Sequence, residues 1–192
     1  MEIHENSLYI GTDKGLYVLD MDTGQPVENE LSQMIGENRI RCLLEDKNKN
    51  LWVCTYTGNL GLICYTKRHE ILSYTEETGF LSNECRCIIE TSDGSLLVGT
   101  NGGLAIIHNM VVDKELTGKT GLDNTVILTV EELSQGKYLL GTDGDGVYIV
   151  DDNRVKKMGR EDGLTSDVIL RIKKDEERDV VWIITSNSLQ YM

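Results

Sequence analysis

Cys85 and Cys87 stand one residue apart, a spacing at which two thiolates can grip a soft metal or exchange a disulfide. They belong to a set of five, with Cys42, Cys54 and Cys64, odd in number and confined to the middle of the chain. Such a set fits no small disulfide framework. Aspartates alternate in Asp143-Gly144-Asp145-Gly146 and in Asp20-Met21-Asp22-Thr23-Gly24, as oxygen ligands do at the start of a calcium loop. Neither run continues to the glutamate that closes such a loop, so both read as hairpin turns. His4, His69 and His108 could act as bases or ligands, yet no carboxylate or cysteine recurs at a fixed offset from them. They fall in predicted edge strands or chain ends and are expected on the surface. There is no Gly-x-Ser-x-Gly elbow, and Ser82, Ser92 and Ser134 lie in turns. The expectation is no catalytic residue, no metal site and no cofactor.

The elements that must position these residues emerge from an internal repeat. The segments ending in Gly11-Thr12, Cys54-Thr55, Gly99-Thr100, Gly141-Thr142 and Ile184-Thr185 align, and their threonines are 43, 45, 42 and 43 residues apart. About ten residues before each of the last four lies a second apolar run: Ile40–Glu45, Cys85–Glu90, Val126–Glu131 and Val168–Lys173. In that alignment Ile40, Cys85, Val126 and Val168 share one position, and Cys42, Cys87, Leu128 and Leu170 another, which reads the cysteines as small core hydrophobes. A polar turn separates the two runs. A third apolar run follows each threonine, and a weaker fourth is clearest at Glu70–Tyr74 and Arg154–Met158.

Four antiparallel strands in about 43 residues make one blade of a β-propeller, an all-β fold. The strands alternate poorly between apolar and polar, as expected for a sheet buried on both faces. Helical repeats are the structural rival, yet β-branched runs of four to six residues broken by glycine are too short for helices of about 12 residues. The predicted division is a partial blade over 1–36, blades over 37–80, 81–121 and 122–163, and a partial blade over 164–192. The chain is expected to open in the second strand of its first blade, stop in the third strand of its fifth, and form part of a propeller rather than a closed ring.

The 192 residues carry a net charge of −13, with 32 acidic against 19 basic side chains. That balance repels nucleic acid and anionic membrane surfaces at long range unless basic groups are segregated. The close basic pairs, Lys67-Arg68 and Lys156-Lys157, read as solvated dipeptides. No segment approaches the ~20 apolar residues of a membrane span, and the first residues lack the pattern of a signal peptide.

In an antiparallel blade, the turns after the second and fourth strands emerge at one edge. Those turns carry short hydrogen-bonding side chains, and Tyr56, Asn59, Asn83, Asn101, Asn124, Asp143 and Asp145 are the candidate ligand-binding residues. Side chains of this kind converging near an axis suit a small polar ligand such as an oligosaccharide.

Gly79-Phe-Leu-Ser-Asn83, Gly121-Leu-Asp-Asn124 and Asp162-Gly-Leu-Thr-Ser166 precede first strands; Leu43-Leu-Glu-Asp46 with Leu51-Trp-Val53, and Val98-Gly-Thr-Asn-Gly-Gly-Leu104, follow the same scheme. The combination resembles the two-component regulator propeller repeat over essentially the whole chain. Cys54 and Ile184 depart from it where glycine is usual, and Leu97 where tryptophan is usual. The resemblance implies a non-catalytic sensor region on the periplasmic or extracellular side of a membrane-bound bacterial regulator, joined to a kinase or other output and concerned with glycan-derived ligands. Partners would be the remaining blades, or a second copy at the open ends. A protein-interaction scaffold and a propeller lyase or hydrolase are the competing classes.

Overall fold

The computed structural model describes every residue of the chain except Asn124 and Asn153. Its strands form five antiparallel sheets, each a meander in chain order. The first holds β1 (Glu2–His4), β2 (Ser7–Thr12), β3 (Gly15–Asp20) and β4 (Pro26–Val27); the second, β5 (Ile40–Glu45), β6 (Leu51–Thr55), β7 (Leu62–Tyr65) and β8 (Ile71–Tyr74). The third comprises β9 (Cys85–Glu90), β10 (Leu96–Thr100), β11 (Leu104–His108) and β12 (Val111–Leu116). In the fourth are β13 (Ile127–Ser134), β14 (Lys137–Thr142), β15 (Val147–Asp151) and β16 (Arg154–Met158). The fifth stops at three strands, β17 (Ile169–Asp175), β18 (Val180–Thr185) and β19 (Leu189–Tyr191). The described residues divide into two compact units, Met1–Arg86 and Cys87–Met192, the division falling inside β9.

The threonine run is the second strand of every sheet. All five residues of β6 and of β10 are buried, which accounts for the missing alternation. In β18, by contrast, buried residues alternate with less covered ones, and Ile184 is exposed. The core of the first unit draws Tyr9 and Val18 from the first sheet and Leu43, Val53 and Ile63 from the second. Leu31 and Ile35 complete it from α1 (Glu30–Ile35), a short helix that the repeat did not foretell. Asn29 caps it by accepting from Ser32 N at 2.9 Å, while the Ser32 hydroxyl accepts from Asn29 N at 3.0 Å.

Three features depart from the sequence expectation. The first sheet opens on β1, a three-residue edge strand turned by Glu5 at φ 53°, too short to show as a pattern. His4, expected on the surface, is buried: its Nδ1 lies 2.8 Å from Glu45 Oε2 and its ring sits edge-on to Tyr9 and Tyr65.

The third departure is one of register. Ile40, Ile127 and Ile169 pair with Thr55, Thr142 and Thr185, and a bulge follows each of the three. Position 40 thus corresponds to 127 and 169, not to Val126 and Val168. The residue opposite the one before the threonine, which is Cys54, Gly141 or Ile184, becomes Cys42, Thr129 or Arg171 rather than Leu128 or Leu170.

That register explains the glycine before each threonine. A Cβ on Gly11 would come within 2.5 Å of Ile40 Cγ2; one on Gly99, within 2.9 Å of Ile127 Cγ2; one on Gly141, within 2.6 Å of Ile169 Cγ2. The first isoleucine of the following sheet fills the space. Where the second sheet carries Cys54 instead, that following residue is Cys85, smaller by the same logic.

Candidate functional site

Each turn after a second strand is closed by its threonine. Thr12, Thr55, Thr100, Thr142 and Thr185 donate their hydroxyls to the carbonyls of Gly15, Gly61, Gly103, Gly146 and Ser188, at 3.0, 2.7, 3.0, 2.8 and 3.2 Å. The residue after the threonine is tied to the start of the first strand: Tyr56 N, Asp143 N and Ser186 N donate to the carbonyls of Arg39, Val126 and Val168 at 2.9, 3.1 and 3.0 Å. Side chains at this position therefore sit at a fixed place at one edge of the sheet.

The turns before the first strands are built just as tightly. Gly79, Gly121 and Gly163 end short 3₁₀ turns in left-handed backbone conformation, and the next residue, Phe80, Leu122 or Leu164, is buried. The repeated glycine and following hydrophobe are thus a plug for the core.

The candidate residues divide between the two units. Tyr56 and Asn59 share the turn from β6 to β7, with Asn59 exposed in left-handed backbone at φ 56°. Asn83 is engaged within its own loop: its Oδ1 accepts from Glu76 N, and its N donates to Glu76 Oε1, both at 2.9 Å. In the second unit the Asn101 carbonyl accepts from the Thr125 hydroxyl at 2.9 Å, and exposed Asp143 bridges to Val168. The Asp145 carboxylate accepts from the Tyr148 hydroxyl and from Lys157, which holds the Lys157 ammonium above its ordinary range. Asn124 lies outside the described residues.

Around Tyr56 the structure assembles side chains that the sequence reading left out. The guanidinium carbons of Arg39, Arg41 and Arg86 lie 5.8, 4.8 and 5.1 Å from its ring centroid, and Arg86 Nη2 donates to its hydroxyl at 3.0 Å. Arg39 Nε is 2.6 Å from Asp13 Oδ1. Basic groups are therefore gathered at one place in this acidic chain, through residues distant in sequence rather than through the basic dipeptides. In the register of the structure, Arg41 and Arg86 share a position that holds Leu128 and Leu170 in the later repeats.

The histidines are engaged in the framework. His69 Nδ1 is 2.8 Å from the Tyr65 hydroxyl, and His108 Nδ1 is 3.0 Å from Ser95 Oγ. Among the described residues no cysteine is in a disulfide. Burial, with the charge of Asp46, pushes the Cys64 thiol up to about 12. It is therefore no nucleophile at neutral pH.

Sheets of this topology, repeated at this spacing, are blades of a β-propeller. Residues 34–57 match the family model described as two component regulator propeller. The chain superposes over its whole length on the extracellular domain of a hybrid two component system of B. thetaiotaomicron, with TM-score 0.81 and 24% identity, covering 26% of that chain. It does so on the extracellular domain of a one component system of the same organism at TM-score 0.60 and 18% identity, covering 32%. Virginiamycin B lyase from Staphylococcus aureus is similar at TM-score 0.69 and 14% identity, with 68% of that enzyme covered. The chain thus spans between a quarter and a third of the length of the first two. No curated protein is significantly similar to it.

Proposed function

We propose that this chain is the ligand-sensing part of a propeller in a bacterial two-component-type receptor, facing the outside of the cytoplasmic membrane and binding a small polar, glycan-derived ligand without transforming it. The observation that carries the reading is the regulator propeller repeat at 34–57, on a fold that superposes on a sensor's extracellular domain at TM-score 0.81. The turn edge within each unit adds a place for the ligand, since threonine-closed turns present Tyr56 and Asn59 in the first unit and Asn101 and Asp143 in the second. Rigid placement of a few polar side chains is what sugar recognition requires. Among the described residues no helix is long and apolar enough to cross a membrane, so the reading assigns the membrane anchor to another segment of the receptor.

The likeness to virginiamycin B lyase supports a second reading, a propeller enzyme. The two separate in one experiment: a panel of oligosaccharides and streptogramins is titrated into the protein by calorimetry, and recovered ligands are weighed by mass spectrometry. The sensor reading expects a sugar to bind and return intact, with Asn101→Ala weakening it by about tenfold. Chemical change in a ligand, or no binding of any sugar at millimolar concentration, contradicts it.

A further inference from the structure

Three of the four arginines in residues 1–86 meet at one tyrosine ring, that of Tyr56, and the fourth, Arg68, lies in a different turn. Like charges this close repel one another, so an arrangement of this kind is best satisfied when an anion shares it. The chain has 32 carboxylates with which to neutralise it. Asp13 reaches Arg39, but among the described residues no carboxylate lies within salt-bridge distance of Arg41, which is exposed.

The cluster also breaks the repeat. Arg41 and Arg86 follow the first residue of consecutive first strands, so they approach Tyr56 from its own sheet and from the start of the next strand run, where later repeats carry leucine. Residues required only for the blade recur from blade to blade; these do not. Asp13 holds in the first sheet the turn position that Tyr56 holds in the second, and its Oδ1 lies 2.6 Å from Arg39 Nε, so one carboxylate already stands beside this group of guanidiniums. A guanidinium resting on a ring keeps its in-plane N–H donors for a second, forked partner.

We propose that Arg39, Arg41 and Arg86, arranged on Tyr56, bind a carboxylate or sulfate group carried by a small polar ligand. The proposal rests on the turn edge being the ligand face and goes beyond it by fixing the ligand's charge. A polyanion is disfavoured because the net charge of −13 acts at long range, whereas a single compact anion meets the arginines inside the screening length.

Calorimetric titration of the 192-residue protein tests this, with glucuronate, glucose 6-sulfate, glucose and inorganic sulfate as probes. At least one acidic sugar should bind about tenfold or more tightly than glucose, with the preference shrinking as salt is raised. Arg41→Ala and Arg86→Ala should each remove most of that preference, Arg86→Lys should retain part, and Arg68→Ala should leave it unchanged. Thermal melting of each variant shows that the fold persists; Arg41, being exposed, is the safer substitution. If the acidic sugars gain nothing over glucose, or keep their advantage in both alanine variants, the anion site is overturned while sugar binding stands. Inorganic sulfate bound through these arginines with no sugar bound would uphold the site and overturn the sugar reading. No binding of any probe would overturn both.

Discussion

At the scale of single residues, the repeated positions are explained by hydrogen bonds and space. In four of the five sheets the threonine hydroxyl closes its turn on a glycine carbonyl, and Gly61 shows why glycine is needed: at φ 64°, a Cβ there would sit 2.1 Å from the Tyr74 carbonyl oxygen. Gly61→Ala should cost about 2 kcal/mol or more by urea denaturation. Gly24→Ala, in open space at φ 68°, should cost about 1 kcal/mol. Asp175 accepts from Arg178 and from the Trp182 indole, and these bonds bring its carboxyl down to about 2. An unfolded aspartate titrates near about 3.9, so this contribution is complete above that value and is lost as pH falls through about 2. Replacing Asp175 by Asn should therefore flatten the dependence of the denaturation midpoint between about pH 5 and about pH 2.5. A dependence equal to that of the unsubstituted protein would show that the bonds are absent in solution. Cys64, its thiol pushed up to about 12 by burial and by Asp46, should resist iodoacetamide at pH near 8 until the protein unfolds, as read by mass spectrometry of the alkylated peptide.

At the scale of the strands, the motif that joins an aspartate to a tryptophan is a corner. Buried Asp46 accepts from Asn48 N, Asn50 N, the Asn50 amide and the Trp52 indole at 2.8–2.9 Å. Asp46→Ala would leave the Trp52 indole N–H buried without this partner, and a loss of about 3 kcal/mol in urea denaturation is expected. The cysteines give a coupled test. Cys85→Ile should overpack against Cys54 by about 1–3 kcal/mol, and adding Cys54→Gly should recover most of that loss, restoring the combination found at Gly99 and Ile127. Additive losses would mean that the two positions do not share the space. The threonine strands were legible because spacing and hydrophobicity repeat together. The slip from Val126 to Ile127 was not, because both residues belong to one apolar run that does not mark where pairing begins. β1 and the burial of His4 escaped for a related reason: a three-residue strand has no period, and its pairing with Glu45 spans 41 residues.

At the scale of the whole molecule, repetition separates framework from site. Glycine, threonine and the plugging leucine recur because every blade must close and pack, and alignment exposes them at once. The candidate polar turns were legible as positions, yet Asn83 proves engaged by Glu76 of its own loop and Asp145 by Tyr148 and Lys157 of β15 and β16, which an alignment cannot show. The arginines around Tyr56 were in plain view but were not read as a group, since their convergence depends on three strands meeting. The chain spans only a quarter to a third of the two sensor domains on which it superposes. On the proposed function these blades bind a ligand. Backbone amide chemical shifts, followed by NMR as the tightest sugar of the panel is added, test that most directly. The expected result is perturbation concentrated in the turn from β6 to β7 and in the segments entering β5 and β9. Perturbation centred on the opposite turns, such as Asp46–Asn50 and Asp175–Asp179, or none at saturating ligand, would contradict it.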